Sequence, residues 1–445
     1  MLKFRSDFYA DVRQEDRYAS SVQFIGPNLT ECRESTIVKA FIRVYDGKMW
    51  YYCSTDDTAD IQSELDRLYA CAQPNKDILS DPIVKKFEVN KDRLLKYEDK
   101  CVKNVPLEKK REFIEKRKSY VEDDEYLKMV SASYSDRYSV YKFSSSLGAD
   151  IEYDTQYAQG AVALSLAYGK ETFDNALIER SDTFEGVSIT KEKLTEFKEE
   201  SDKFLLSAKS IEPGKYPVVL TPEAAGIFAH ESFGHKSESD FMIGDETMKK
   251  EWALGKAVAN PLLSIFDDGS LPGGGYVPYD DEGTKTRKTY LIKDGILAGR
   301  LHSAKTASIL NEEPTGNARA INCDYEPIVR MTTTLIEGKG NDTVDDLISR
   351  IKYGYFIKSC KHGSGMSTFT IAPNVAYRIE NGKLTVPVKI AVISGNVFET
   401  LGKVDGVTGL DSTRIVGGNC GKMEQFPLPV GIGGAYISVS EMDVQ

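Results

Sequence analysis

Lys215-Tyr-Pro-Val-Val-Leu-Thr-Pro-Glu-Ala-Ala-Gly-Ile-Phe-Ala-His-Glu-Ser-Phe-Gly-His235 is the stretch on which the reading of this chain turns. Lys215 to Leu220 is short and rich in β-formers, which predicts a strand. Thr221 is a good N-cap, Pro222 suits the first helical position, and Glu223 suits the positive helix start. Ala224, Ala225, Ile227, Phe228 and Ala229 then run apolar into His230. The prediction is a short buried helix that projects His230 and Glu231 from its end, a rigid platform of the kind a catalytic site needs.

His230-Glu231-Ser232-Phe233-Gly234-His235 uses two of only four histidines in 445 residues. In H-E-x-x-H, two His one helical turn apart bind zinc and the Glu is the general base. Here the second His comes one residue later. On a regular α-helix that sets the two rings roughly 140° apart, because each residue turns about 100°. Both reach one ion only if the turn widens or the helix ends. A π-type turn closes i to i+5 and recurs at functional sites. Gly234 lets the backbone bend there at little cost. The alternative is a pair of hydrogen-bonded core or capping histidines.

Beyond this stretch the chain reads as α+β. Residues 1–213 form an α/β region with a mixed or antiparallel sheet, and residues 214–445 a β-rich domain carrying the metal-site helix. Pro213-Gly214 marks the boundary. In the first part, strands are predicted near Ser21–Phe24, Ile37–Tyr45 and Met49–Cys53, and across 133–187. Helices are predicted near Asp60–Ala72 and Lys191–Ala208. A charge-dense helix in 105–130 is read as solvated and bridging. After the motif come short strands and turns such as Asp267-Asp268-Gly269 and Gly273-Gly274-Gly275. Strands are predicted at Lys288–Lys293, Val329–Leu335, Lys383–Ile393 and Ala435–Ser440, and a helix at Asp342–Tyr353.

Composition bounds the partners. Formal charge is −11, with 28% charged residues. That balance disfavours nucleic acid and anionic membrane surfaces, which are bound through clustered Lys and Arg. No run of about 18 apolar residues appears, so no spanning helix is expected. The opening residues Met1–Asp7 lack the apolar core of a signal peptide. Seven scattered cysteines fit a reducing cytoplasm better than a disulfide framework.

A hydrolytic zinc ion usually has three protein ligands. Spacing does not supply the third. His302, His362, Glu238, Asp240 and the downstream cysteines are all candidates. Cys420 stands out in Gly417-Gly418-Asn419-Cys420-Gly421-Lys422, because glycine neighbours permit close approach and unusual φ. A buried small hydrophobe is the alternative. This glycine string is not a P-loop, since Met423 stands where Ser or Thr would hold magnesium.

Taken together, the chain resembles the TldD/PmbA family of zinc metallopeptidases. The resemblance covers nearly the whole chain and is looser in the N-terminal half. It rests on His230-Glu231-x-x-x-His235 with Asp240-Phe241, Tyr279-Asp280-Asp281-Glu282-Gly283, Pro314-Thr315-Gly316-Asn317-Ala318-Arg319, Tyr377–Lys383, and Cys420-Gly421-Lys422. The resemblance implies Zn2+ held by His230, His235 and Cys420, with Glu231 as the catalytic base of an active, TldD-type subunit. It implies cleavage of unfolded or extended peptides in an enclosed chamber. It also implies a homodimer, or a heterodimer with a motif-lacking TldE/PmbA-type subunit. Bound zinc lowers the pKa of water to about 7, and Glu231 would pass the water proton to the leaving amine. Asp240 is a candidate for orienting a His ring, or a plain surface carboxylate. Asp280, Asp281 and Glu282 read as a solvated acidic turn or as lining for the entrance. Lys236 stands where the family has Gly, and is expected to narrow or recharge the site entrance. Two other classes remain: a non-catalytic interaction subunit of the gyrase-modulator type, and a metal-dependent small-molecule amidase.

Overall fold

The computed structural model describes residues 2–445. The N-terminal part is one seven-stranded sheet. Its long strands are β1 (Tyr9–Ile25), β2 (Asn28–Tyr45), β5 (Leu127–Ser145) and β6 (Asp150–Tyr168); β3 (Trp50–Thr55), β4 (Lys91–Leu94) and β7 (Glu171–Ser181) are shorter. The order is β3-β2-β1-β5-β6, with β4 and β7 sharing the far side of β6. All pairs are antiparallel except β4 on β6.

Three helices pack against this sheet: α1 (Ile61–Cys71), α2 (Leu107–Lys118) and α3 (Lys191–Ser207). Leu65, Leu68 and Tyr69 of α1 and Leu194, Phe197, Phe204 and Leu205 of α3 are their buried stripes, as the 3.6-residue period requires. The helix predicted in 105–130 is confined to α2. It is not merely solvated, because Lys110 and Ile114 are fully buried. Lys110 forms an ion pair with Asp136 at 2.7 Å inside the sheet's core.

β1 runs for 17 residues, far beyond the predicted Ser21–Phe24. Its polar half is the reason. Asp11, Arg13 and Glu15 alternate with other residues in a charge-rich stretch, yet all three are buried. Arg13 faces a charged partner from the C-terminal part, Asp11 shares Arg43 with one, and Glu15 pairs with Arg17 and Arg137 within the sheet. Arg13 pairs with Asp281 at 2.9 Å, and Arg43 bridges Asp11 and Glu282 at 2.9 and 3.1 Å. The Asp280–Glu282 turn is therefore a buried connector, not the solvated turn the sequence suggested.

From Gly214 on, two sheets share a large core. In one, Tyr353–Gly365, Gly214–Leu220, Ile437–Val444, Ile393–Asn396 and Thr368–Glu380 pair in that order. The last of these pairs back with the first, closing a barrel. The other sheet has six strands and ends with Thr333–Ile336, Gln425–Gly434 and Arg414–Lys422. Asp267, read as a turn residue, is instead a buried strand acceptor; it binds Asn317, Thr332 and Thr334 side chains and braces this sheet. The helix predicted at 342–353 is only Val344–Ser349, because Tyr353 already enters a barrel strand.

The short helix α4 (Pro222–Ala229) lies between barrel and sheet. Thr221 caps it, accepting the Ala224 N–H at 3.4 Å. Phe228 packs edge-on against Phe369 of the barrel. On the other side, a Cβ at Gly226 would sit 2.2 Å from the Gly433 backbone nitrogen. Only glycine permits that approach.

Candidate metal centre

The end of α4 widens into a π-turn, His230–Gly234, and tightens again at His235–Ser237. The wider turn undoes the angular offset of an i+5 pair. The rings of His230 and His235 lie with centroids 5.0 Å apart, at 78° to each other. Gly234 has ordinary helical dihedrals. It does not bend the chain, as its sequence position suggested. It leaves room for Met331, whose Sδ would lie 2.1 Å from a Cβ there.

The third member arrives from strand Arg414–Lys422. Cys420 Sγ lies 3.5 Å from His235 Nε2. One ligand atom each from His230, His235 and Cys420 falls within 4.8 Å of the others, and all three residues are buried. The glycines around Cys420 keep ordinary strand dihedrals, so their value lies in small size.

Three features make this cluster suited to a cation. The Nδ1 atom of His230 is buried without a hydrogen-bond partner, a costly state unless another partner is supplied. Burial would push the Cys420 thiol up, but the His230 and His235 rings beside it hold it down at about 5. It is thus a thiolate at neutral pH. Burial would lower His235, but Glu238 and the thiolate raise it to about 10, so these anionic groups draw positive charge to Nε2, where a cation would replace the proton. Two imidazoles and a thiolate are a donor set that zinc accepts.

Glu238 supports the cluster in a way the sequence did not reveal. Its carboxylate is fully buried and lies 3.1 Å from His235 Nδ1. Accepting from Nδ1–H leaves Nε2, the atom facing Cys420, as the nitrogen that a cation would take by displacing its proton. Burial penalises that charge, but His235, Lys422 and Arg330 together hold the Glu238 carboxyl below its ordinary range. Lys422 Nζ reaches Glu238 at 3.1 Å and Asp240 at 2.7 Å. Asp240 therefore anchors Lys422 and does not orient a His ring. The sequence pointed to Glu238 only as a candidate ligand and to Lys422 only as part of Cys420-Gly421-Lys422.

The other candidates lie elsewhere. His302 is satisfied by Thr306 and Glu312, at 3.1 and 3.0 Å. His362 is on an exposed stretch of a barrel strand. Lys236 points inward, buried over Phe398 and 3.3 Å from Glu251, so it does not recharge an entrance. Glu231 is half-buried on the π-turn. It lies against the barrel strand at Gly363, where a Cβ would come within 2.9 Å of its Cγ.

Comparison with known proteins adds an independent line. Residues 213–445 match the model of the PmbA/TldA metallopeptidase C-terminal domain, and residues 10–72 match its domain 1. A metalloprotease of Methanothermobacter thermautotrophicus is 31% identical, over 97% of this chain and 94% of that protein. A metalloprotease of Synechocystis is 40% identical over 54% of this chain; the match spans about half of that relative, 52%. A zinc metalloprotease TldD homolog of Saccharolobus solfataricus is 33% identical over 54% of this chain and 53% of that protein. Among solved structures, a protein of Thermotoga maritima described as a modulator of a DNA gyrase has the same fold. It superposes with a TM-score of 0.78 at 20% identity, covering 98% of this chain and 96% of that one. TldE of Thermococcus kodakarensis gives 0.75 at 15% identity, over 98% and 96%.

Proposed function

The chain belongs to the PmbA/TldA family of metallopeptidases, and on that premise we propose that it is a zinc-dependent peptidase acting on extended peptides. The observation that carries this reading is the convergence of His230, His235 and Cys420 within 4.8 Å, with an orphaned imidazole nitrogen among them. In this reading His230, His235 and Cys420 hold the zinc, and residues 1–213 and 214–445 are separate domains. Bound zinc would supply Lewis-acid polarisation of the scissile carbonyl and of the attacking water.

Glu231 takes the proton from that water and delivers it to the leaving amine nitrogen. Glu231 sits on the π-turn between the two histidines, and in this reading its carboxylate serves the reacting atoms without being a ligand. Glu238 fixes the tautomer of His235. The partner is a second subunit of the same fold, either a copy of this chain or a motif-lacking TldE-type protein; the fold shared with Thermococcus TldE supports that choice. The setting is the cytoplasm, consistent with seven free cysteines.

Two variants test the reading. Glu231→Gln is expected to retain zinc by elemental analysis while peptide cleavage falls at least about a hundredfold. Cys420→Ala is expected to lose stoichiometric zinc with an unchanged circular dichroism spectrum. Full cleavage by the first, or full zinc content in the second, would refute the assigned roles.

A further inference from the structure

Arg180 stands at the end of β7, half-buried, in a cleft between the N-terminal sheet and the strand that carries Cys420. The cleft encloses about 260 Å³, room for one or two peptide side chains. Its far wall is Gly417, Gly418 and Asn419, the three residues immediately before Cys420. A second cleft, lined by Arg319, Asp281 and Tyr141, adjoins it through shared lining at Tyr157, Gly273, Gly274 and Pro429.

The charge accounting in these clefts is uneven. Arg13 has Asp281 at 2.9 Å, and Arg137 has Glu15 at 2.8 Å. Arg180 has no carboxylate within ion-pairing distance among the described residues. It is held by a single neutral acceptor, Gln159 Oε1, at 2.5 Å. The carboxylate of Glu223 accepts the Cys360 N–H instead, at 3.1 Å. A guanidinium has five N–H donors in a fixed fork, and one bond leaves most of them for a visitor. Gly417 makes the placement possible, since a Cβ there would lie 2.6 Å from Arg180 Cδ. The bare strand lets the guanidinium lie across it.

We propose that Arg180 is a specificity-determining residue that binds a carboxylate of the peptide substrate. It lies beside Gly417, three residues from Cys420, or about 10 Å along a strand rising 3.3 Å per residue. An extended peptide covers that distance in the same number of residues. The recognised group is an acidic side chain about three residues from the cleaved bond, or a terminal carboxylate at that distance. Bidentate pairing with a carboxylate is what an underused guanidinium favours. This inference rests on the peptidase reading for its meaning, but its test does not need cleavage.

The experiment measures fluorescence anisotropy with dye-labelled peptides bound to the full-length, zinc-loaded protein. One peptide carries a single internal Glu and an amidated end, its twin carries Gln, and a third has no acid but a free C-terminus. The Glu peptide, or the free-ended one, is expected to bind roughly ten- to hundredfold tighter than the amidated Gln twin at low salt. Arg180→Gln is expected to erase that preference while leaving zinc content and affinity for the Gln twin unchanged. Equal binding of all three peptides by the wild-type protein overturns the proposal. So does a preference that survives in Arg180→Gln, because another cation then carries it. Failure to cleave any peptide, with the preference intact, would count against the hydrolytic reading alone.

Discussion

Glu238 shows how much of a candidate metal centre can rest on a group outside its three candidate ligands. Its carboxylate fixes the His235 tautomer and shares Lys422 with Asp240. Glu238→Gln would weaken the charge-assisted bond and leave Lys422 with one carboxylate fewer. Zinc affinity is expected to fall about ten- to a hundredfold, the usual effect of losing such a support, as read by competition with a chromophoric chelator. An unchanged affinity would mean that His235 keeps its orientation without help. The three residues that converge were legible from the sequence as candidate ligands, His230 and His235 by residue type and spacing and Cys420 by glycine context and resemblance. Glu238 was legible only as a possible ligand, because its role depends on which ring nitrogen it faces. No spacing rule encodes that.

At the scale of elements, strand Gly214–Leu220, the Thr221 cap and α4 were all readable, because cap, proline and apolar run agree locally. The π-turn was readable too, from the misfit between a five-residue spacing and a 3.6-residue period. The interlock of α4 with strand Gln425–Gly434 was not, since it pairs Gly226 with a backbone some 200 positions away. Gly226→Ala tests it. The methyl group would meet backbone at 2.2 Å, not a side chain that can swing aside. We expect a loss of roughly 2–3 kcal/mol in unfolding free energy, seen as a lower urea midpoint. A matching drop in zinc affinity should accompany it, because α4 ends in the ligands. A silent substitution would show that helix and strand can part without harm.

At the scale of the whole molecule, charged residues do what apolar ones do inside each part. Arg13 and Arg43 lie on strands of the first sheet, buried against carboxylates of the second part of the chain. This is one reason β1 was mostly illegible: Asp281, which neutralises Arg13, and Arg43, which neutralises Asp11, lie far along the sequence. Glu15, on the same strand, makes the burial of charge within the first sheet measurable. Burial would raise its carboxyl, but Arg137, Arg17 and Arg13 bring it down from 4.5 to about 2. A lowered folded-state value stabilises above the unfolded one and is lost as pH falls between the two. The window is therefore pH 4.5 to 2, and the contribution is roughly 3 kcal/mol. Glu15→Gln should lower stability at pH 7 and flatten the acid limb of a urea-midpoint profile. An acid limb identical to the wild type would place the protonation elsewhere.

The closed ring of staves behind α4 carries one more implication, for synthesis on the ribosome. The stave Ile437–Val444 sits between Gly214–Leu220 and Ile393–Asn396, and Cys420 lies 185 positions after His235. A growing polypeptide, or a fragment released early, has no way to close the ring before residue 437 is made. Both histidines will by then have been translated long before the thiol that joins them. The complete cluster of His230, His235 and Cys420 is thus withheld from nascent and broken copies.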